Sequence, residues 1–197
     1  MILPPKSGDG RTLLTPDEES DLIPNLSTRE ELNEWERLNI LEAYTWALSR
    51  RNLNRLDPLA EAYVRGLHLR MFDQTWKWAG RYRSTEKNIG IASYRIRDAL
   101  PALLGDVRYW MQHSTFSPDE IAVRLHHKMV WIHPFSNGNG RHARLLADVL
   151  TRVQGQPLFS WGSTSFLNPG NFRQQYISAL QSADVGDIAP LLKFARS

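Results

Sequence analysis

Apolar residues recur along the chain with two rhythms, a helical one over most of its length and a shorter, strand-like one in a single stretch. Leu32, Trp35, Leu38 and Leu41 follow a Ser27-Thr-Arg-Glu30 capping box and predict a helix over residues 28–49. Residues 50–55 read as a linker. Pro58, in the tolerated first-turn position, opens a second helix carrying Leu59, Tyr63, Leu67 and Met71. A third, over residues 98–112, presents Leu100, Leu103, Leu104, Val107 and Trp110. Ser117-Pro-Asp-Glu120 starts a fourth through Ile121, Leu125, Met129 and Ile132; His133 and Pro134 end it, because the residue before proline is pushed out of helical geometry. Leu145, Leu146, Val149, Leu150 and Val153 mark a fifth helix with Gly155 as its C-terminal cap. After a loop at residues 156–167, Asn168 and Pro169 open a helix with Phe172, Tyr176 and Leu180, and Asp187 caps a last one with Leu191, Leu192 and Phe194.

The second rhythm lies in residues 74–96. There Trp76, Trp78, Gly80 and Tyr82 precede Asn-Ile-Gly-Ile-Ala-Ser-Tyr-Arg-Ile, and short β-favouring runs around a glycine predict one hairpin. Residues 1–26, broken by Pro4, Pro5, Gly8, Gly10, Pro16 and Pro24, read as an extended arm. The expected fold class is therefore all-α, mainly helical, with one small β-hairpin, in a domain over residues 27–197.

Composition narrows the classes. A chain of 197 residues with 42% hydrophobic and 23% charged residues can bury a full core and is neither disordered nor lipid-embedded. It has no cysteine, which removes disulfides, zinc thiolates and cysteine nucleophiles and fits a reducing compartment. The start of the chain lacks the basic and apolar regions of a signal peptide, and no apolar run reaches the roughly twenty residues of a membrane span, so a cytoplasmic location is expected. Lys plus Arg exceeds Asp plus Glu by 24 − 21 = 3, with the arginines spread from Arg11 to Arg196 and not clustered, so no nucleic-acid partner is expected.

The densest chemistry is the run HPFSNGNGRHAR at residues 133–144. Gly138 and Gly140 flank Asn139 and lead straight into a helix, whose first N–H groups and positive dipole end bind anions. Arg141 and Arg144, three residues apart, share one helix face and add bidentate phosphate donors. His133, with an ordinary pKa near ~6.5, is a candidate proton acceptor. The run is neither a Walker A motif nor the turn of a βαβ dinucleotide fold. His126, His127 and His133 lack the spacing of a histidine metal site, so the first two are expected to pack.

The run resembles the Fic (Fido) signature H-x-F-x-[D/E]-G-N-G-R-x-x-R at every fixed position but one. The resemblance extends through the WAGRYR segment at residues 78–83 to the C-terminal helices, and with TREELNEWE near the start is closest to the subgroup called mobile mystery protein B. It implies a Fic fold and transfer of AMP from Mg²⁺-bound ATP to a Ser, Thr or Tyr hydroxyl of a target protein. His133 would take the hydroxyl proton. Gly138, Asn139 and Gly140 would hold the α- and β-phosphates by backbone N–H groups and one side-chain amide; Arg141 would meet the β-phosphate and Arg144 the γ-phosphate. The hairpin around Ile89, Gly90, Ile91, Ala92 and Tyr94 would be a flap that clamps the target by strand addition. Gly140 stands where the kinase-like Doc relatives carry lysine, which favours nucleotidyl transfer.

Asn137 is the departure, since most active members place Asp or Glu there to hold Mg²⁺ and a carboxamide is a weaker donor to a hard cation. The resemblance also implies an inhibitory helix over residues 27–49 whose glutamate restrains Arg144, with Glu31 and Glu36 as candidates. Alternatives are a weakly active or inactive Fic scaffold, toxin-like and working through an antitoxin-like or regulatory partner, and a Fic enzyme that uses another nucleotide or removes AMP.

Overall fold

In a computed structural model the residues described are 14–162 and 169–197; the first half of the expected arm, and Asn168 with the end of the loop before it, lie outside them. Nine α-helices are formed among these residues: α1 (Pro16–Ser20), α2 (Arg29–Ala47), α3 (Arg50–Leu53), α4 (Glu61–Phe72), α5 (Ile96–Gln112), α6 (Pro118–Ile132), α7 (Asn139–Val153), α8 (Pro169–Asp184) and α9 (Ala189–Arg196). No helix among the described residues is long and apolar enough to cross a membrane.

The core is built around α7. Its Ala143, Leu145, Leu146, Ala147, Val149 and Leu150 are all buried, so the helix is enclosed on more than one side. It packs chiefly on α6, with α4 across a second face, and α5 and α9 cover α6 from behind. Phe135, in the connection between α6 and α7, is fully buried with its ring 3.7 Å from that of His68 on α4. The signature loop is therefore anchored to the centre of the molecule.

Helix α2 is real but faces the other way from its periodicity. Trp35, Leu38 and Leu41 are 40%, 46% and 55% exposed, and the buried stripe is Leu32, Glu36, Asn39, Ala43 and Ala47. The polar pair is buried because it is bonded: the Asn39 side-chain amide donates to the Arg70 carbonyl at 3.1 Å and accepts from Gln74 N at 3.2 Å, and Trp76 Nε1 donates to Glu36 at 2.8 Å. Satisfied polar groups and small residues can line a core that an apolar count misplaces. Its N-cap is Thr28 rather than Ser27, with Glu31 completing the box. The linker after α2 holds one helical turn, α3, capped by Ser49.

Two expectations about extended chain are corrected. Leu14 to Leu26 is not extended throughout: Thr15 and Glu18 form a reciprocal capping box that nucleates α1. Asp21, Leu22 and Ile23 then run alongside 75–77, with Ile23 N bonded to the Thr75 carbonyl at 2.9 Å and Lys77 N to that of Asp21 at 3.0 Å. The expected hairpin within residues 74–96 has no ladder among the described residues: Trp76 bridges to Leu22 instead, and the segment ends in a 3₁₀ turn, Ser93–Arg95. Side chains take the place of strand pairing there. Glu86 accepts from Ser93 N at 2.9 Å and Ser93 Oγ at 2.8 Å, and Arg83 donates to the Ile91 carbonyl, so the loop closes on itself without a second strand.

Candidate active site

His133 caps α6 in the left-handed conformation, φ 54° and ψ 59°, which turns the chain out of the helix directly into Pro134. Its side chain is nearly buried. Nδ1 lies 3.3 Å from the Val130 carbonyl, which can only accept, so the neutral ring carries its proton on Nδ1 and presents Nε2 as the acceptor. Burial pushes its pKa down to about 4; the Arg83 and Lys87 charges push the same way, against the Val130 carbonyl. The imidazole is therefore neutral at pH 7.

Arg83 builds the frame around it, a role the sequence signature does not announce. Almost wholly buried, it donates through Nε to the His133 carbonyl at 2.7 Å and through Nη1 to the Thr85 carbonyl at 2.9 Å, while its backbone N donates to the Pro134 carbonyl at 2.9 Å. Gly90, at φ +102°, sits against this frame so closely that a Cβ would come within 2.5 Å of His133 Cβ. The flap thus touches the histidine by backbone, which only glycine permits.

The loop after Phe135 is held from inside. The Asn139 side chain accepts from Phe135 N at 2.9 Å and donates to its carbonyl at 2.8 Å, so the amide expected on a phosphate is committed to closing the turn. Asn137 Oδ1 accepts from Gly138 N at 2.6 Å. Gly80 N donates to His68 Nδ1, which fixes the proton on Nε2, and that nitrogen donates at 3.0 Å to the Asn137 carbonyl. Burial holds the His68 pKa well below its ordinary value, as a neutral hydrogen-bonding ring requires. His68 was missed by sequence because a lone histidine on an apolar helix face gives no sign of what it binds. Gly138, at φ +76°, is the N-cap of α7 and brings no side-chain cap to its first N–H groups.

Arg141 and Arg144 extend from the first turns of α7. Arg141 stacks over Phe72 at 5.0 Å and pairs through Nη1 with Glu36 Oε2 at 2.6 Å. Arg144 lies over the Tyr176 ring at 4.3 Å, with its buried Nε lacking a hydrogen-bond partner among the described residues. The expected restraint of Arg144 by α2 is thus corrected, since Glu36 reaches the first arginine and not the second. Glu31 reaches neither: its carboxylate accepts from Ser27 N and Thr28 N at 2.8 and 3.0 Å and serves as a cap.

His133, Asn137, Gly138, Asn139, Gly140, Arg141 and Arg144 line one cavity of about 790 Å³, with Glu36, Ile89 and Gly90 on its wall. Such a volume suits a nucleotide-sized ligand. Ile91 is buried in the core and Tyr94 is 79% exposed, so those flap residues point elsewhere. His126 and His127 belong to packing: His126 Nε2 lies 3.0 Å from Tyr176 Oη, and His127 Nε2 lies 2.7 Å from Asp184 Oδ1. Among the described residues no group of three His, Asp or Glu side chains could hold a metal ion.

Residues 58–151 match the Fic/DOC family. The chain is 31% identical over 119 residues to protein adenylyltransferase fic-1 of Caenorhabditis elegans, a match covering 59% of this chain and 22% of that protein. It is 36% identical over 98 residues to protein adenylyltransferase Fic of Aedes aegypti, covering 48% and 18%. The chain thus spans about a fifth of the length of these curated relatives. A solved structure of a Fic-1 fragment from C. elegans superposes with a TM-score of 0.64 at 26% identity, covering 91% of this chain and 51% of that one. The BepC protein of Bartonella tribocorum, solved with bound AMPPNP, shares the fold at TM-score 0.65 and 19% identity, covering 92% and 97%. The family match runs from just before α4 into α7 and so includes the signature loop, and the chain carries a Fic/DOC family domain.

Proposed function

We propose that the chain transfers AMP from ATP to a Ser, Thr or Tyr hydroxyl of a protein. The observation that carries the reading is one cavity in which a buried neutral histidine faces a helix N-terminus bearing two arginines. The curated relatives named protein adenylyltransferase, and the Bartonella structure holding AMPPNP, support it. The first N–H groups of α7 would receive the phosphates and Arg141 and Arg144 would neutralise them, so catalysis is chiefly positioning and charge compensation. The acceptor oxygen bonds to the α-phosphorus, the bond to the bridging oxygen of the β-phosphate breaks, and pyrophosphate leaves. The hydroxyl proton passes to His133 Nε2. Anionic phosphate beside the ring raises its pKa back towards the ordinary value, which strengthens it as a base when substrate is present.

Mg²⁺ fits this loop poorly. Asn137 offers a carboxamide already bonded to Gly138 N, and no carboxylate cluster accompanies it among the described residues. No step here is routed through the metal. Glu36 acts as a brake in this reading, because Arg141 cannot serve a β-phosphate while its Nη1 is paired with that carboxylate.

Incubation of the chain with α-labelled ATP and a lysate, wild type beside His133→Ala, tests the reading. Label on protein with wild type alone is expected; label in both or in neither overturns it.

A further inference from the structure

The five residues of α1 lie far from the signature in sequence, yet their Glu18 is among the most heavily bonded carboxylates in the molecule. An ordinary capping-box glutamate is exposed and serves its own helix. Glu18 does serve it, accepting from Thr15 N at 2.7 Å, but is only 9% exposed and carries more than its cap. Thr85 Oγ1 donates to its Oε1 at 3.0 Å and Lys87 Nζ pairs with its Oε2, while the nearby Ser136 hydroxyl helps hold the carboxyl below its ordinary pKa. Its backbone carbonyl accepts from Trp78 Nε1 at 3.2 Å.

These partners come from separate segments. Thr85 and Lys87 lead into the flap, and Ser136 stands inside the signature loop between Phe135 and Asn137. The Lys87 side chain is 2% exposed, so the pair is desolvated on both sides. Buried ion pairs are poor sources of net stability and are better explained by what they hold in register. What is held here is adjacent to the histidine: Arg83 binds the Thr85 carbonyl with one nitrogen and the His133 carbonyl with another, and Gly90 abuts His133 Cβ. Leu14 and Glu19, on either side of Glu18, line the same cavity as His133 and Ile89.

We propose that Glu18 is a positioning residue for the transfer reaction, clamping Thr85 and Lys87 at the base of the flap, next to the Arg83 frame that holds His133, so that an acceptor hydroxyl meets His133 in one register. The segment from Leu14 to Ile23 is then a strap belonging to the active site, while the phosphate cradle on α7 is independent of it. This rests on the AMP-transfer reading for its chemistry but not for its mechanics.

The test compares full-length wild type, Glu18→Gln, Lys87→Met and the double variant Glu18→Gln/Lys87→Met. Three quantities are measured: self-labelling with α-labelled ATP, ATP affinity by calorimetry, and amide hydrogen exchange. The single variants are expected to lower the self-labelling rate about tenfold with ATP affinity unchanged, and to speed exchange about tenfold at residues 84–92 but not in α6 or α7. The double variant, which removes both charges of the pair, is expected to keep core protection at the wild-type level while the flap stays loosened. Unchanged flap exchange in both single variants overturns the proposal, as does a loss of protection spread evenly over flap and core in the double variant. If wild type itself transfers no label but the flap still loosens in the single variants, the strap stands and the AMP-transfer reading falls.

Discussion

Gly90 and Gly138 have backbones in the left-handed region, and at each the space for a side chain is already taken. An alanine Cβ at Gly90 would lie 2.5 Å from His133 Cβ, and one at Gly138 would lie 2.4 Å from Phe72 Cζ. The two substitutions should fail differently. Gly90→Ala displaces an exposed flap from the histidine, so self-labelling should fall at least tenfold with ATP affinity kept. Gly138→Ala strikes a fully buried ring and carries about 1–2 kcal/mol of left-handed strain as well, so the melting temperature should fall by several degrees. Thermal scans beside labelling assays decide, and a Gly90→Ala chain that labels normally would remove the flap from the mechanism. At this scale the signature residues were legible in sequence because each is a chemical type at a fixed spacing. Arg83 and His68 were not. Both act by donating to backbone carbonyls of the loop, and carbonyls leave no mark in a sequence.

Helices were legible where the apolar stripe is also the core stripe, as in α5, α6 and α7, and misread in facing where it is not. On α2 the inward positions are filled by Glu36 and Asn39, whose burial depends on partners in residues 70–76 that no local window contains. The flap read as a hairpin because its residues favour strands, yet pairing was lost to side-chain bonds from Glu86 and Arg83. Helix α2 separates in use two glutamates five residues apart, Glu31 and Glu36. Glu31→Ala should lower the melting temperature slightly through the lost capping box and leave ATP affinity unchanged. Glu36→Gln keeps an acceptor for Trp76 but releases Arg141, so ATP should bind several-fold more tightly. Calorimetry on both variants checks this, and equal affinities would show that the Glu36–Arg141 pair is no brake.

Across the whole molecule, buried imidazoles set the response to acid. Burial lowers the pKa of His133 and His142 to about 4 and of His126 to about 3, and that of His68 well below its ordinary value. The unfolded chain takes up these protons near pH 6.5 and the folded one does not. Stability from this source is therefore complete above pH 6.5 and is lost progressively as pH falls through about 4. Glu18 acts in a lower window. Burial would raise its pKa, but Lys87, Thr15 and Ser136 outweigh it and bring it down to about 2, so its contribution is kept down to about pH 4.5 and lost below. Melting temperatures measured from pH 8 to 4 should be level above 6.5 and fall steadily beneath it; a flat profile would contradict the neutral, buried state of these rings.

The strap and α2 both precede residue 58, where the match to the family begins. A fragment trimmed to the recognisable domain would retain every group expected to meet a phosphate. It would lose the carboxylate that steadies Lys87 and the one that occupies Arg141, so its nucleotide site would be at once unbraked and loosely gated. On the proposed AMP-transfer reading, the recognisable domain would hold the groups that meet substrate, and the residues before it would hold those that restrain them.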